Sequence, residues 1–119
     1  MDCIFCKISE NLINSKTIYE DDTLKVFLDI NPDSNGHCLI IPKKHFKDLF
    51  DIEEETLNHI LKIAKLISKK LIDTLKSDGI TLVQNNGDIQ EVKHFHLHLK
   101  PYYNNPSIMD IDTIYELLK

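Results

Sequence analysis

The sequence predicts an α+β domain: an antiparallel sheet of about five strands with one long helix and a short C-terminal helix. Three observations lead there. Short β-type runs are separated by clusters of turn formers, so successive strands join as hairpins. One helical period persists from Glu53 to Lys76. The 119 residues contain no repeat and no Pro/Gly-rich linker, so they form a single domain, 1–119.

Taken in order, Thr17–Glu20 and Leu24–Asp29 read as strands around an Asp21-Asp22 turn. Asn31-Pro32-Asp33-Ser34-Asn35-Gly36 is a loop by composition. His37–Pro42 is an apolar strand that Pro42 stops. In the long helix, Leu57, Ile60, Leu61, Ala64, Ile67, Leu71 and Leu75 form the apolar stripe, with Lys62, Lys65, Lys69 and Lys76 wet between them. Asp51 and Glu54 have capping-box spacing, and Gly79 stands where a left-handed C-terminal residue belongs. A strand over Ile80–Gln84, a turn at Asn85-Asn86-Gly87-Asp88 and a strand over Val92–Leu99 follow, then a terminal helix within Met109–Leu118. His59 lies outside any motif and is expected at the surface, and Cys38 is expected to pack as a small hydrophobe.

Composition narrows the function. The net charge is −5, and all 14 basic residues are lysine. A phosphate-coating nucleic-acid surface is therefore not expected, and any phosphate site must use backbone N–H groups, Lys, His or amides. No apolar run approaches the roughly 18 residues of a membrane span, and no signal peptide is visible. Three cysteines, two of them three residues apart, argue against a secreted disulfide scaffold and for the reducing cytoplasm.

The most informative stretch is His94-Phe95-His96-Leu97-His98-Leu99. Alternation along a strand sends the three imidazoles to one side and Phe95, Leu97 and Leu99 into the core. Two chemistries suit such a row. One is a His₃ zinc site, although residues i and i+4 lie roughly 13 Å apart along a strand, too far to share one ion easily. The other is nucleophilic catalysis, with the flanked middle residue His96 as nucleophile. Neutral imidazole suits that role at pH 7 because its ordinary pKa is about 6.5. Separately, Cys3-x-x-Cys6 is half of a zinc site by spacing.

From Cys3 to about Pro101 the chain resembles the histidine triad (HIT) proteins, nucleotide hydrolases and transferases, and within them the Hint branch. Their signature alternates three His with apolar residues and ends in two apolar positions. Here it reads His94-Phe95-His96-Leu97-His98-Leu99-Lys100, with Lys100 departing at the last position. Gln90-Glu91-Val92-Lys93 is similar to the family's lead-in, His37-Cys38-Leu39-Ile40-Ile41-Pro42-Lys43-Lys44-His45 to its preceding strand, Cys3-Ile4-Phe5-Cys6-Lys7-Ile8 to its opening, and Leu28-Asp29-Ile30-Asn31-Pro32 to its ribose-binding turn.

The resemblance implies that His96 attacks the α-phosphorus of a purine nucleotide, giving a nucleotidyl-histidine that water hydrolyses. His98 is expected to bond the α-phosphate, His37 to orient the neighbouring rings, Asn85 and Gln90 to contact the phosphate or leaving group, and Asp29 the ribose. Phe5, Ile8, Phe27 and Ile30 are expected to form the purine pocket. It further implies a structural zinc on Cys3, Cys6, His45 and His94, and a homodimer. The expected substrates are nucleoside phosphoramidates or adenylates. The alternatives are dinucleoside polyphosphates, or a zinc-stabilised nucleotide-binding module with little catalysis. Two further departures bear on substrate choice: Glu91 where Ser or Thr is common, and Ile89 where glycine is common before the glutamine.

Overall fold

A computed structural model describes residues 2–119. Five antiparallel strands form one sheet, in the order β1-β2-β3-β5-β4. They are β1 (Thr17–Glu20), β2 (Leu24–Leu28), β3 (Cys38–Pro42), β4 (Gly79–Val83) and β5 (Leu97–Tyr102). The helices are α1 (Ile4–Ser9), α2 (Glu54–Leu75) and α3 (Ile111–Leu118).

Strand alternation divides the sheet into two working faces. Leu24, Val26, Leu28, Cys38, Ile40, Phe95, Leu97 and Leu99 join the main core, against Ile60, Ile63, Ala64, Ile67 and Leu71 of α2 and Ile114 and Leu118 of α3. Phe27, Leu39 and Ile41 point the other way and form a second cluster with Cys3, Phe5 and Ile8 of the N-terminal segment. The long helix covers one face; the short first helix and the histidines occupy the other.

Several expectations need correction. The residues over Val92–His96 are not strand; β5 begins at Leu97, because Ile40↔Leu97 is the first pair it makes with β3. The histidine alternation survives upstream because the Phe95 N–H donates to the Phe46 carbonyl at 2.7 Å and keeps that ring in the core. β5 instead runs on through Pro101, which is tolerated because beyond Leu99 the strand pairs with β4 alone. The capping box does not form. Asp51 Oδ2 accepts from the Lys47 N–H at 2.7 Å in the preceding turn, and Glu53 is the N-cap without a side-chain capping bond. The left-handed residue ending α2 is Lys76 (φ 58°), whereas Gly79 opens β4 opposite Tyr102. Leu61 is 49% exposed, and the stripe position it was given belongs to Ile63.

His59 is only partly exposed; its Nε2 lies 2.7 Å from Asp21 Oδ2, tying α2 to the β1–β2 turn. Asp21 also accepts from the Thr23 and Leu24 N–H groups and from the Tyr19 hydroxyl. Cys38 is fully buried, and burial pushes its thiol up to about 12. Helix α1 was not read from the sequence. It is one and a half turns long, and the Cys3 sulfur caps it by accepting from the Cys6 N–H. Buried Lys25 of β2 holds its far end, donating to the Ile8 carbonyl at 2.9 Å and to Asn11 Oδ1 at 2.7 Å.

Candidate functional site

The second face of the sheet gathers the histidines. His98 pairs across strands with Leu39, and His37 lies two residues before Leu39, so both rings stand on that face. His37 Nε2 lies 2.9 Å from His98 Nδ1, and the His96 and His98 ring centres are 5.1 Å apart. Phe5 meets His96 edge-on at 5.0 Å.

Backbone groups assign the protons on these rings. The Asp33 N–H donates to His37 Nδ1 at 3.0 Å, so the proton of neutral His37 sits on Nε2 and is donated to His98 Nδ1. The proton of neutral His98 therefore sits on Nε2. His96 Nδ1 lies 2.7 Å from the His94 carbonyl, which can only accept, so His96 donates from Nδ1 and carries its lone pair on Nε2. Burial lowers the pKa of His37, and it takes His98 down to about 4. Both rings are thus neutral near pH 7. Adjacent imidazoles present opposite functions, a lone pair on His96 and an N–H on His98.

Asp29 closes the outer end. Its Oδ1 accepts from the Asn31 N–H at 2.9 Å and its Oδ2 lies 3.5 Å from His37 Nε2. It therefore serves the turn and faces the histidines at once. Asp29, His37 and His98 together have spacing that could hold a metal ion. The proton assignment opposes this: His37 Nε2 carries hydrogen, and moving it to Nδ1 would set it against the Asp33 N–H.

A separate cluster does fit a metal. One donor atom from each of Cys3, Cys6, His45 and His94 lies within 4.8 Å of the others. His94 is fully buried and donates from Nε2 to the Pro42 carbonyl at 2.8 Å, which leaves Nδ1 as a lone pair facing Cys3 Sγ (3.4 Å), Cys6 Sγ (3.5 Å) and His45 Nδ1 (3.2 Å). Two sulfurs and two imidazole nitrogens at this spacing make a Cys₂His₂ zinc donor set.

The remaining expected residues are arranged less uniformly. Phe5, Ile8 and Phe27 are buried in the second cluster, whereas Ile30 is 81% exposed and lies outside it. Gln90 is buried; its Nε2 donates to the Lys47 carbonyl at 2.5 Å, and its Oε1 has no partner among the described residues. Asn86, not Asn85, does the turn chemistry, bonding Gln84 and the Leu49 N–H. Glu91 is exposed, beside Lys47 and Lys93 in a surface depression of about 600 Å³. Sequence reasoning missed Phe5 as a neighbour of His96, and it missed the three backbone groups that set the tautomers: Pro42 O, His94 O and Asp33 N. No side-chain signal marks a backbone partner.

The HIT domain family model matches residues 10–105. The chain belongs to the HIT family. It is 42% identical over 106 residues to an uncharacterized HIT-like protein of Methanocaldococcus jannaschii, covering 85% of this chain and 79% of that one. It is 46% identical over 101 residues to adenosine 5'-monophosphoramidase HNT1 of Saccharomyces cerevisiae, covering 83% of this chain and 61% of that protein. Its fold matches the crystal structure of a Zn-bound histidine triad family protein from Mycobacterium smegmatis with a TM-score of 0.92 at 33% identity, over 99% of this chain and 91% of that one. The α+β fold read from the sequence is that of the HIT domain. No helix among the described residues is long and apolar enough to cross a membrane.

Proposed function

We propose that this HIT protein is a nucleotidyl hydrolase acting on purine nucleoside phosphoramidates or adenylates through a covalent intermediate on His96. One observation carries the proposal. The His94 carbonyl accepts a hydrogen bond from His96 Nδ1–H, so the neutral ring has its lone pair on Nε2, next to a His98 that offers an N–H. The name adenosine 5'-monophosphoramidase borne by the relatives in Saccharomyces cerevisiae and Candida albicans supports the substrate class.

His96 Nε2 forms a bond to the α-phosphorus while the bond from phosphorus to the leaving nitrogen or oxygen breaks. The leaving group takes the His98 Nε2 proton as it departs; the negative charge left on that ring is balanced by the positive charge that bonding to phosphorus places on His96, and is held by the His37 Nε2–H donating to His98 Nδ1. Water then attacks phosphorus, gives a proton back to His98, and releases the nucleoside monophosphate with His96 free. Asp29 Oδ2 accepts from the ribose hydroxyls. Asn85 and Gln90 contact the phosphate or leaving group: continuing the Val83↔His98 register by two residues would set Asn85 level with His96, within reach of the phosphate, and Gln90 Oε1, an acceptor with no partner among the described residues, suits an N–H of the leaving group. Phe5, Ile8 and Phe27 form the floor beneath the base, and Ile30, exposed outside that cluster, has its side chain free to pack on the base when it binds.

A zinc held by Cys3, Cys6, His45 and His94 would be structural, since four protein ligands leave no open position. Those residues tie α1 to the segment before β5 and hold His94, whose carbonyl orients His96. The domain acts as a homodimer. An open edge at β4, which pairs only with β5 and exposes Leu82, supports that assembly.

The test uses adenosine 5'-phosphoramidate and a dinucleoside polyphosphate as substrates. Wild type turns over the phosphoramidate faster, and quenching in alkaline denaturant traps a nucleotide on His96. His96→Ala abolishes both turnover and adduct with its circular dichroism unchanged. Full activity in that variant refutes the mechanism; faster turnover of the polyphosphate overturns the substrate assignment.

A further inference from the structure

Lys100 breaks the apolar end of the histidine signature, and the structure gives it specific work. It stands in β5 two residues beyond His98, on the same face of the sheet. Its Nζ donates to Asp33 Oδ2 at 2.7 Å. The partner carboxylate is 63% exposed, so the pair contributes little to stability. What distinguishes it is the other bond of Asp33, whose backbone N–H is the donor to His37 Nδ1. The next residues repeat the grip: Ser34 Oγ donates to the Pro101 carbonyl at 2.5 Å, and the His37 N–H donates to the Ser34 carbonyl at 3.1 Å. Two successive residues of β5 thus hold two successive residues of the loop against the histidine pair.

We propose that Lys100, acting through Asp33, is a positioning residue that fixes the direction of the proton relay from His37 to His98. The inference rests on the catalytic reading of His96 and His98 above. While the Asp33 N–H faces His37 Nδ1, the bonds run one way: Asp33 N–H to His37 Nδ1, His37 Nε2–H to His98 Nδ1, and His98 Nε2–H outward. Without that N–H, His37 is free to carry its proton on Nδ1. Nε2 then becomes the acceptor, His98 donates inward from Nδ1, and its outer nitrogen presents a lone pair. A lone pair repels a phosphate oxygen and has no proton to give the leaving group. Burial keeps both rings neutral near pH 7, so the two polarities differ only in which nitrogen carries hydrogen.

The experiment combines long-range proton–nitrogen NMR of the histidine rings with steady-state kinetics on adenosine 5'-phosphoramidate. Wild-type His37 shows a single Nε2–H tautomer. Lys100→Met shows mixed tautomers at His37 and His98, with kcat about tenfold lower and KM unchanged. Lys100→Arg restores both the NMR pattern and kcat. Asp33→Ala, which keeps the backbone N–H but frees the loop, behaves as Lys100→Met does. Either of two results overturns the proposal: a single unchanged tautomer in Lys100→Met, or a raised KM with unchanged kcat, which would make Lys100 a direct phosphate contact. The NMR arm needs no turnover. A wild type inactive on nucleotides would therefore refute the catalytic reading while the effect of Lys100 on tautomers is still measured.

Discussion

His98 shows how one half-buried side chain links the proposed chemistry to stability. Burial, then the neighbouring His96, His37 and Lys100, bring its pKa to about 4, and burial lowers His37 in the same sense. An unfolded imidazole titrates near 6.5. Between 6.5 and about 4 the unfolded chain takes up protons that folded His98 refuses, so this contribution is complete above pH 6.5 and is lost as pH falls toward 4. The urea midpoint of the wild type is therefore expected to fall between pH 7 and 4.5, and more steeply than that of His98→Asn. Parallel losses in the two proteins would show that the half-buried neutral ring is not the cause. The position of His98 beside His96 was legible in the sequence, because alternation sets the two rings on one face. Its polarity was not, since that depends on the Asp33 N–H, which any residue at position 33 except proline would supply.

At the scale of elements, the loop 31–36 and the end of α2 show what the sequence specified and what it left open. Gly36 was read only as a turn former. It adopts φ +91° immediately before His37, and a Cβ there would lie 2.6 Å from Leu75 Cδ1. Gly36→Ala is expected to cost more than about 1 kcal/mol in urea unfolding, from a backbone conformation that alanine resists and from crowding against α2. Lys76 is the opposite case: it holds the left-handed position that glycine suits, at φ 58°. Lys76→Gly should stabilise the protein by up to about 1 kcal/mol, and a lowered urea midpoint would refute that account. The helix was legible because its apolar period runs for six turns. Its C-cap was misread because Gly79 lies close enough to mimic one while Lys76 carries no sequence mark. The start of β5 was misread for a related reason: two-residue alternation persists through His94 and His96, although pairing with β3 begins only at Leu97.

The whole molecule is joined at the sulfur–imidazole cluster. Cys3 and Cys6 come from the N-cap and first turn of α1, His45 from the turn after β3, and His94 from the segment before β5. The fold on this face has little else to hold the first helix: the second core cluster is small, and buried Lys25 clasps only its far end. The Cys-x-x-Cys spacing was legible as half a site, but only the resemblance named the other half, since no spacing rule links residues 39 and 88 positions apart in sequence. Burial, followed by the hydrogen bond with Cys3, pushes the Cys6 thiol up to about 11, so metal binding must displace protons. Zinc affinity, measured by competition with a chromogenic chelator, is therefore expected to rise between pH 6 and 8. Chelation should lower the Tm of the wild type, whereas Cys6→Ser, with too few soft ligands to hold the ion, should melt at the same temperature with or without chelator. A wild-type Tm indifferent to chelator would mean that the four residues hold the first helix by hydrogen bonds alone. The orientation of the His94 carbonyl toward His96 would then owe nothing to a metal.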